Sequence, residues 1–393
     1  MISIPDEKLS GALEVHVDEL FILINRKIEI LALCLSKINA TETTRIDDLK
    51  KEIRSLQGHY KSKLAVVNWF IKPSNDSDEN SGKLESYDDL QFFFNSDRRI
   101  VNRSTVEALS KTQNIIEYFS IKKVKEILKD KPDQLETHYE EFQEQFSTLS
   151  ELEIELIKFL FDYHSFTKKT EKYDAYQLAS NLGVDTCLYC NRNYTLTITN
   201  DDEKIIRPEW DHFLPKSRSI LLALSFYNLI PSCHICNSNL KRDKDFNLKE
   251  YFHPYLSKFD EHEVKFTYKP ENPSAFNHKS YERLIIRLDT DHLIGDEKTR
   301  IENNINVFKL DEIYSHHENI AKNFMRLKRL SNGKYLESIK NDIFKSTTEE
   351  IPKTDKEVFE LLHMSFTDPE FFYKHPMSKF KRDLALELKI IKE

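Results

Sequence analysis

Apolar side chains recur at helical spacing between residues 12 and 40: Leu20, Ile24, Ile28, Leu31, Leu35 and Ile38. A helix gathers such positions on one face, so the spacing predicts a long amphipathic helix. A second helical run is expected over 45–71. The stretch "KPSNDSDENSGK" at 72–83 then reads as an exposed loop or linker. Helical periodicity returns over 86–182, most clearly in "TVEALSKTQNIIEYFS", "IKKVKEILKD" and "LSELEIELIKFLFDYH", and Asn181-Leu182-Gly183 reads as a helix stop.

The pattern changes at 184. Threonines alternate in "YTLTIT" at 194–199, which predicts a strand, "NDDEK" a turn, and "IIRPEW" the start of a second strand. "FYNLIPSC" at 226–233 is a short apolar run, and "NSNLKRDKDF" has the polarity of a short helix opening from it. From about 280 the pattern is helical again, including "NINVFKLDEIYSHHENIAKNFMRLKRL". The expected fold is mainly α with a small α+β insert: a helical region 1–183, a small module 184–260, and a mostly helical region 261–393.

A chain of 393 residues is long enough for two or three domains. Six glycines, with no G-x-x-x-x-G-K-[ST] and no G-x-G-x-x-G, argue against a phosphate-cradling loop. Any nucleotide hydrolysis is expected from a partner. The net charge of -8 argues against non-specific coating of nucleic acid, and suggests that substrate delivery depends on a partner or on local charge. No stretch is long and apolar enough to predict a membrane span, and the start lacks a signal-peptide pattern, so a cytoplasmic protein without membrane contact is expected.

Of five cysteines, Cys34 sits alone in a helical pattern and reads as a small core residue. The others form two C-x-x-C pairs, "CLYC" (Cys187, Cys190) and "CHIC" (Cys233, Cys236). Each spacing lets a tight turn aim two thiolates at one ion, and two such knuckles make the closed four-cysteine site typical of structural zinc. Thiolates also suit iron, although this spacing is not one of the common cluster runs. A redox motif fits one C-x-x-C but not two. Such an ion would fold the module and perform no chemistry.

Between the knuckles lie "EWDHFLPKS", with Asp211 and His212, and "SFYNLIPS", with Asn228. "CNSNLK" follows with Asn237 and Lys241. Taken singly these are bland: a surface polar pair, a turn or cap, the cap of the next helix. Their order is what resembles a family, the HNH endonucleases (His-Me finger, ββα-metal class) in their four-cysteine zinc form. The resemblance covers roughly residues 187–245. Within that family it is closer to HNH proteins of bacterial anti-phage defence encoded beside ATPases, such as the Septu type.

The resemblance implies a zinc-stapled ββα-metal core between helical flanks. It makes His212 the general base, Asp211 and Asn237 the ligands of one catalytic Mg²⁺ or Mn²⁺, and Asn228 the residue that ties the strands and holds the histidine's loop. Lys241 falls near the family's basic position, with three intervening residues after Asn237 where the common form has two. The glycine pair usual after D-H-x-x-P is absent. Implied partners are a nucleic acid, DNA before RNA, and an ATPase or other defence protein, while the helical flanks are expected to bind a partner, dimerise or gate access. The competing classes are a non-catalytic zinc-knuckle module binding nucleic acid or protein, and an RNA-cleaving toxin-like nuclease. His234 reads as a solvated spacer, His253 as packing or site, and "IKKVKEILKDK" at 121–131 as a solvated helix face.

Overall fold

The computed structural model describes residues 1–39, 113–149, 151–168, 173–200, 203–215, 220–256, 262–272, 283–330, 334–342, 352 and 354–392. The expected helix at 45–71, the linker at 72–83 and the beginning of the run at 105 lie outside them, as does the side chain of Cys34. The chain is mainly helical with three two-stranded antiparallel sheets among the described residues. No helix there is long and apolar enough to cross a membrane.

Two compact units divide the chain. One is Met1–Ala12, Thr167–Ser217 and Tyr227–Glu393; the other is Leu13–Phe166 and Arg218–Phe226. The stretches 184–260 and 261–393 thus share one unit, which also takes in 167–183. Hydrogen bonds account for this sharing. The Asn191 amide donates to the carbonyls of Phe372 at 2.9 Å and His375 at 3.5 Å, and the Phe266 amide donates to Asp383 at 3.0 Å.

The described residues of the second unit are mainly helical. Ile121–Lys129 is capped by Ser120 and buries Val124, Ile127 and Leu128, so the lysine-rich stretch is the outer side of an amphipathic helix. Pro132–Gln145 adds Leu135 and Phe142, and Glu151–Leu160 adds Leu156, Ile157 and Leu160. His16 is fully buried here, its Nε2 bonded to the Leu224 carbonyl at 2.7 Å. Burial lowers its pKa to about 4.

In the first unit, helix Ala175–Leu182 ends at Gly183, whose φ of 57° is the left-handed conformation that glycine adopts without strain. Of the strand expected over 194–199, only Ile198–Thr199 (β1) is strand, paired with Lys204–Ile206 (β2) with a register shift between its two residues; Tyr194 instead forms a bridge with Thr186. "IIRPEW" makes two strands. Pro208, which has no N–H, falls between β2 and Glu209–His212 (β3), and β3 turns to a different partner, Leu229–Ser232 (β4). Trp210 pairs with Pro231, and His212 with Leu229.

The expectation of a mostly helical region from 261, with helical pattern from about 280, misses a strand pair. Phe266–Pro270 (β5) and Leu284–Leu288 (β6) form an antiparallel pair, with Leu284, Ile286 and Leu288 buried at the strand period of two. The run from 304 is also three helices, Gly295–Val307, Leu310–Ser315 and Glu318–Leu330. It breaks at Lys309, whose φ is 50°, beside the fully buried Phe308.

His253 is buried too. Its Nε2 lies 2.8 Å from the Tyr227 carbonyl and its Nδ1 accepts the Tyr255 amide at 3.1 Å, so the neutral ring is fully used in packing. Burial lowers its pKa to about 3. Below the ordinary histidine pKa of about 6.5 the unfolded chain takes up protons that folded His16 and His253 refuse, so stability falls with pH. Each contributes a slope of at most about 1.4 kcal/mol per pH unit, present from about 6.5 down to about 4 for His16 and about 3 for His253. Urea unfolding between about pH 7.5 and 5 should show this loss, and His253→Gln should reduce the slope.

Candidate functional site

The four cysteines converge. Their sulfurs all lie within 4.8 Å of one another and all are buried. Cys190 and Cys233 sulfurs are 3.9 Å apart, far beyond the roughly 2 Å of a disulfide. A tetrahedral zinc with Zn–S bonds of about 2.3 Å has an edge of about 3.8 Å, so the residues fit zinc. The set is pure thiolate, closed and buried. Among the described residues it is the group of His, Cys, Asp and Glu able to hold an ion.

Local backbone builds each knuckle. Asn191 turns left-handed at φ 49°, its amide donating back to the Cys187 carbonyl at 2.7 Å. The Arg192 amide then donates to Cys190 sulfur at 3.4 Å, and the Asn193 side chain to Cys233 sulfur at 3.2 Å. Such donors stabilise thiolates around a metal. Without a cation the sulfurs must share protons. Burial pushes Cys187 up, while hydrogen bonding with Cys187 raises Cys236 and holds Cys190 and Cys233 down.

From the second knuckle the chain enters a π-helical turn, Ile235–Lys241, closed by the Arg242 amide donating to the Asn237 carbonyl at 2.8 Å. Its side chains meet alternate residues of β3, which share one face of the strand. Glu209 accepts from Asn237 Nδ2 at 3.0 Å and Ser238 Oγ at 2.8 Å, with His234 Nδ1 at 2.6 Å. Burial opposes its charge, but these three bonds outweigh burial and hold its pKa below the usual range. His234, expected as a spacer, is therefore exposed yet bonded to Glu209.

Asp211 is 2% exposed and Lys241 1%. Lys241 Nζ donates to Asp211 Oδ1 at 2.9 Å and to the His212 carbonyl at 2.6 Å. Tyr189, between the first pair of cysteines, donates its hydroxyl to Asp211 Oδ2 at 2.5 Å. Its ring stacks on Phe308 with centroids 4.2 Å apart. Burial first and the Asp211 charge second raise the Tyr189 pKa well above normal, which keeps it a donor.

His212 ends β3 half-buried. The backbone just beyond it is pinned by Asn228. Asn228 Oδ1 accepts the Leu214 amide at 2.7 Å, Nδ2 donates to the Leu214 carbonyl at 3.2 Å, and the Asn228 carbonyl accepts the Phe213 amide at 3.0 Å.

The structure thus brings Asp211, Lys241 and the His212 backbone together, and Asn228 onto the loop that follows. It sets the Asn237 amide against Glu209 and gives both Asp211 oxygens to Tyr189 and Lys241. In this arrangement the residues do not fit the Mg²⁺ or Mn²⁺ that Asp211 and Asn237 were expected to hold. The buried Lys241 also has no proton aimed outward for a phosphate. Glu209, Tyr189 and Phe308 were not singled out from the sequence. Strand alternation around Asp211 could have flagged Glu209, and the tyrosine inside "CLYC" could have flagged itself. Phe308 carried no local signal.

No family model matches the chain, and neither the curated proteins nor the solved structures include a match.

Two tests follow from this geometry. Cys233→Ser should lose bound zinc and the cooperative unfolding of its unit, measured by metal content and circular dichroism; a folded, metal-free variant would contradict a structural ion. Lys241→Ala, which strands a buried carboxylate, should cost about 3–5 kcal/mol in urea unfolding, and the double variant Asp211→Leu, Lys241→Met less than that.

Proposed function

We propose that this chain is an HNH-type endonuclease that hydrolyses phosphodiester bonds of nucleic acid, DNA before RNA, with His212 as general base. The observation that carries the reading is the Asn228 side chain clasping both backbone groups of Leu214, two residues beyond His212. It occurs within an antiparallel strand pair followed by a helical turn, bracketed by cysteine knuckles. That order of strand, strand and helix, with Asp-His on the first strand, supports the resemblance read from the sequence.

The chemistry required of the chain is modest. A histidine titrates near neutral pH and can take the proton from an attacking water. The water oxygen bonds to phosphorus, and the bond to the leaving sugar oxygen breaks. Lys241 and Asn228 hold the backbone at the base and just beyond it, through the His212 carbonyl and Leu214. Zinc at the four cysteines would hold the strands and helical turn in register. A setting in anti-phage defence, with an ATPase partner, rests on the resemblance of residues 187–245.

A zinc-stapled binding module without cleavage is the second reading, favoured by the full commitment of Asp211 to Lys241 and Tyr189. Incubation with plasmid DNA, single-stranded DNA and RNA, with Mg²⁺, Mn²⁺ or no added divalent ion, separates the two. At least one substrate should be cut, and His212→Ala should slow cutting by about 10²–10⁴ while keeping zinc content and fold. Equal rates in variant and parent would remove His212 from the chemistry. No cutting of any substrate would favour the binding module.

A further inference from the structure

The ammonium of Lys241 has three protons and no acceptor capacity. Each direction it can donate in is filled: Asp211 Oδ1 at 2.9 Å, the His212 carbonyl at 2.6 Å, and the face of Phe246, whose centroid lies 4.7 Å from Nζ. Phe246 is itself fixed, stacked on Tyr251 with centroids 3.8 Å apart and edge-on to Phe213 at 5.6 Å. Tyr189 completes Asp211 from the other side. This is a finished cation site with a charged side chain as its occupant.

We infer that Lys241 is the resident cation at Asp211, so that its ammonium and a divalent ion exclude one another there. A Mg²⁺ ion needs oxygen ligands at about 2.0–2.1 Å in near-octahedral array. To reach Asp211 it must displace the lysine, and the displaced ammonium, 1% exposed, would lose its counter-charge inside the protein. The side chain expected as second ligand, Asn237, is drawn instead to Glu209. The inference rests on the nuclease reading only in taking Asp211 as the place where that family would hold its ion.

The test uses zinc-loaded full-length protein titrated with Mn²⁺, with bound ion read from the loss of the free-ion electron paramagnetic resonance signal. Wild type and Asp211→Asn should give the same isotherm. Lys241→Ala should gain one Mn²⁺ per chain, with affinity about tenfold or more above any wild-type binding, and adding Asp211→Asn should remove it. Lys241→Gln keeps amide donors for the same two oxygens. It serves if the alanine variant does not fold, and should show the same gain. A wild-type Mn²⁺ site that Asp211→Asn abolishes would overturn the inference, as would folded Lys241 variants that gain no site. No nucleic acid is present in this measurement, so its outcome is separate from whether the chain cuts any.

Discussion

Four buried sulfurs lie within 4.8 Å of one another, a set that could hold a cation such as zinc, and much of the arrangement of this unit follows from their convergence. The knuckles lie more than forty residues apart in sequence, and the chain between them carries the β1–β2 and β3–β4 pairs. Convergence of the cysteines ties the end of β4, next to Cys233, to the first knuckle. It also places one side chain from each knuckle region on Asp211: Tyr189 from within the first, and Lys241 from the helical turn leaving the second. The polar centre is thus assembled by the same closure that brings the four sulfurs together, and neither knuckle alone supplies both side chains.

The cysteine spacing was legible because two thiolates on one turn have few other uses. The start of a strand at "IIRPEW" and the helical turn after Cys236 also followed from local pattern, whereas 226–233 read only as a short apolar run. The partners inside the site were another matter. Asp211 and Asn237 looked like a ligand pair because both are oxygen-bearing and flank the right motif. Which carboxylate meets which helix residue depends on strand alternation and helical pitch together. Those put Asn237 over Glu209 and leave the residue four further on, Lys241, over Asp211. Likewise β5 and β6 hid in a region with helical pattern on one side, since five-residue strands offer too few periods to outweigh it.

Phe308 shows the limit most clearly. It lies more than a hundred residues beyond Tyr189, at a break in what reads as one long helix. Had the helix continued through Lys309, the following residues would have kept the helical course and Phe308 would have had to remain within it. The break instead leaves Phe308 fully buried against the first knuckle. Its worth is tertiary, a stacked aromatic pair adding about 0.5–1.5 kcal/mol beyond burial, and no local rule could find it.

The consequence for the histidine is a division of the strand into two faces with different duties. Glu209 and Asp211 spend their charge on the helical turn, which makes that face structural. Trp210 and His212 belong to the other face, where the Trp210 indole donates to the Ala175 carbonyl at 3.3 Å. The backbone at His212 is pinned as well: its own carbonyl by Lys241, the next residues by Asn228. Strand alternation sets its side chain on the face opposite the ion pair of Asp211 and Lys241. Substitutions of Lys241 or Asn228 would then act on His212 by moving its backbone, whereas substitutions of Glu209 would act by loosening the helical turn.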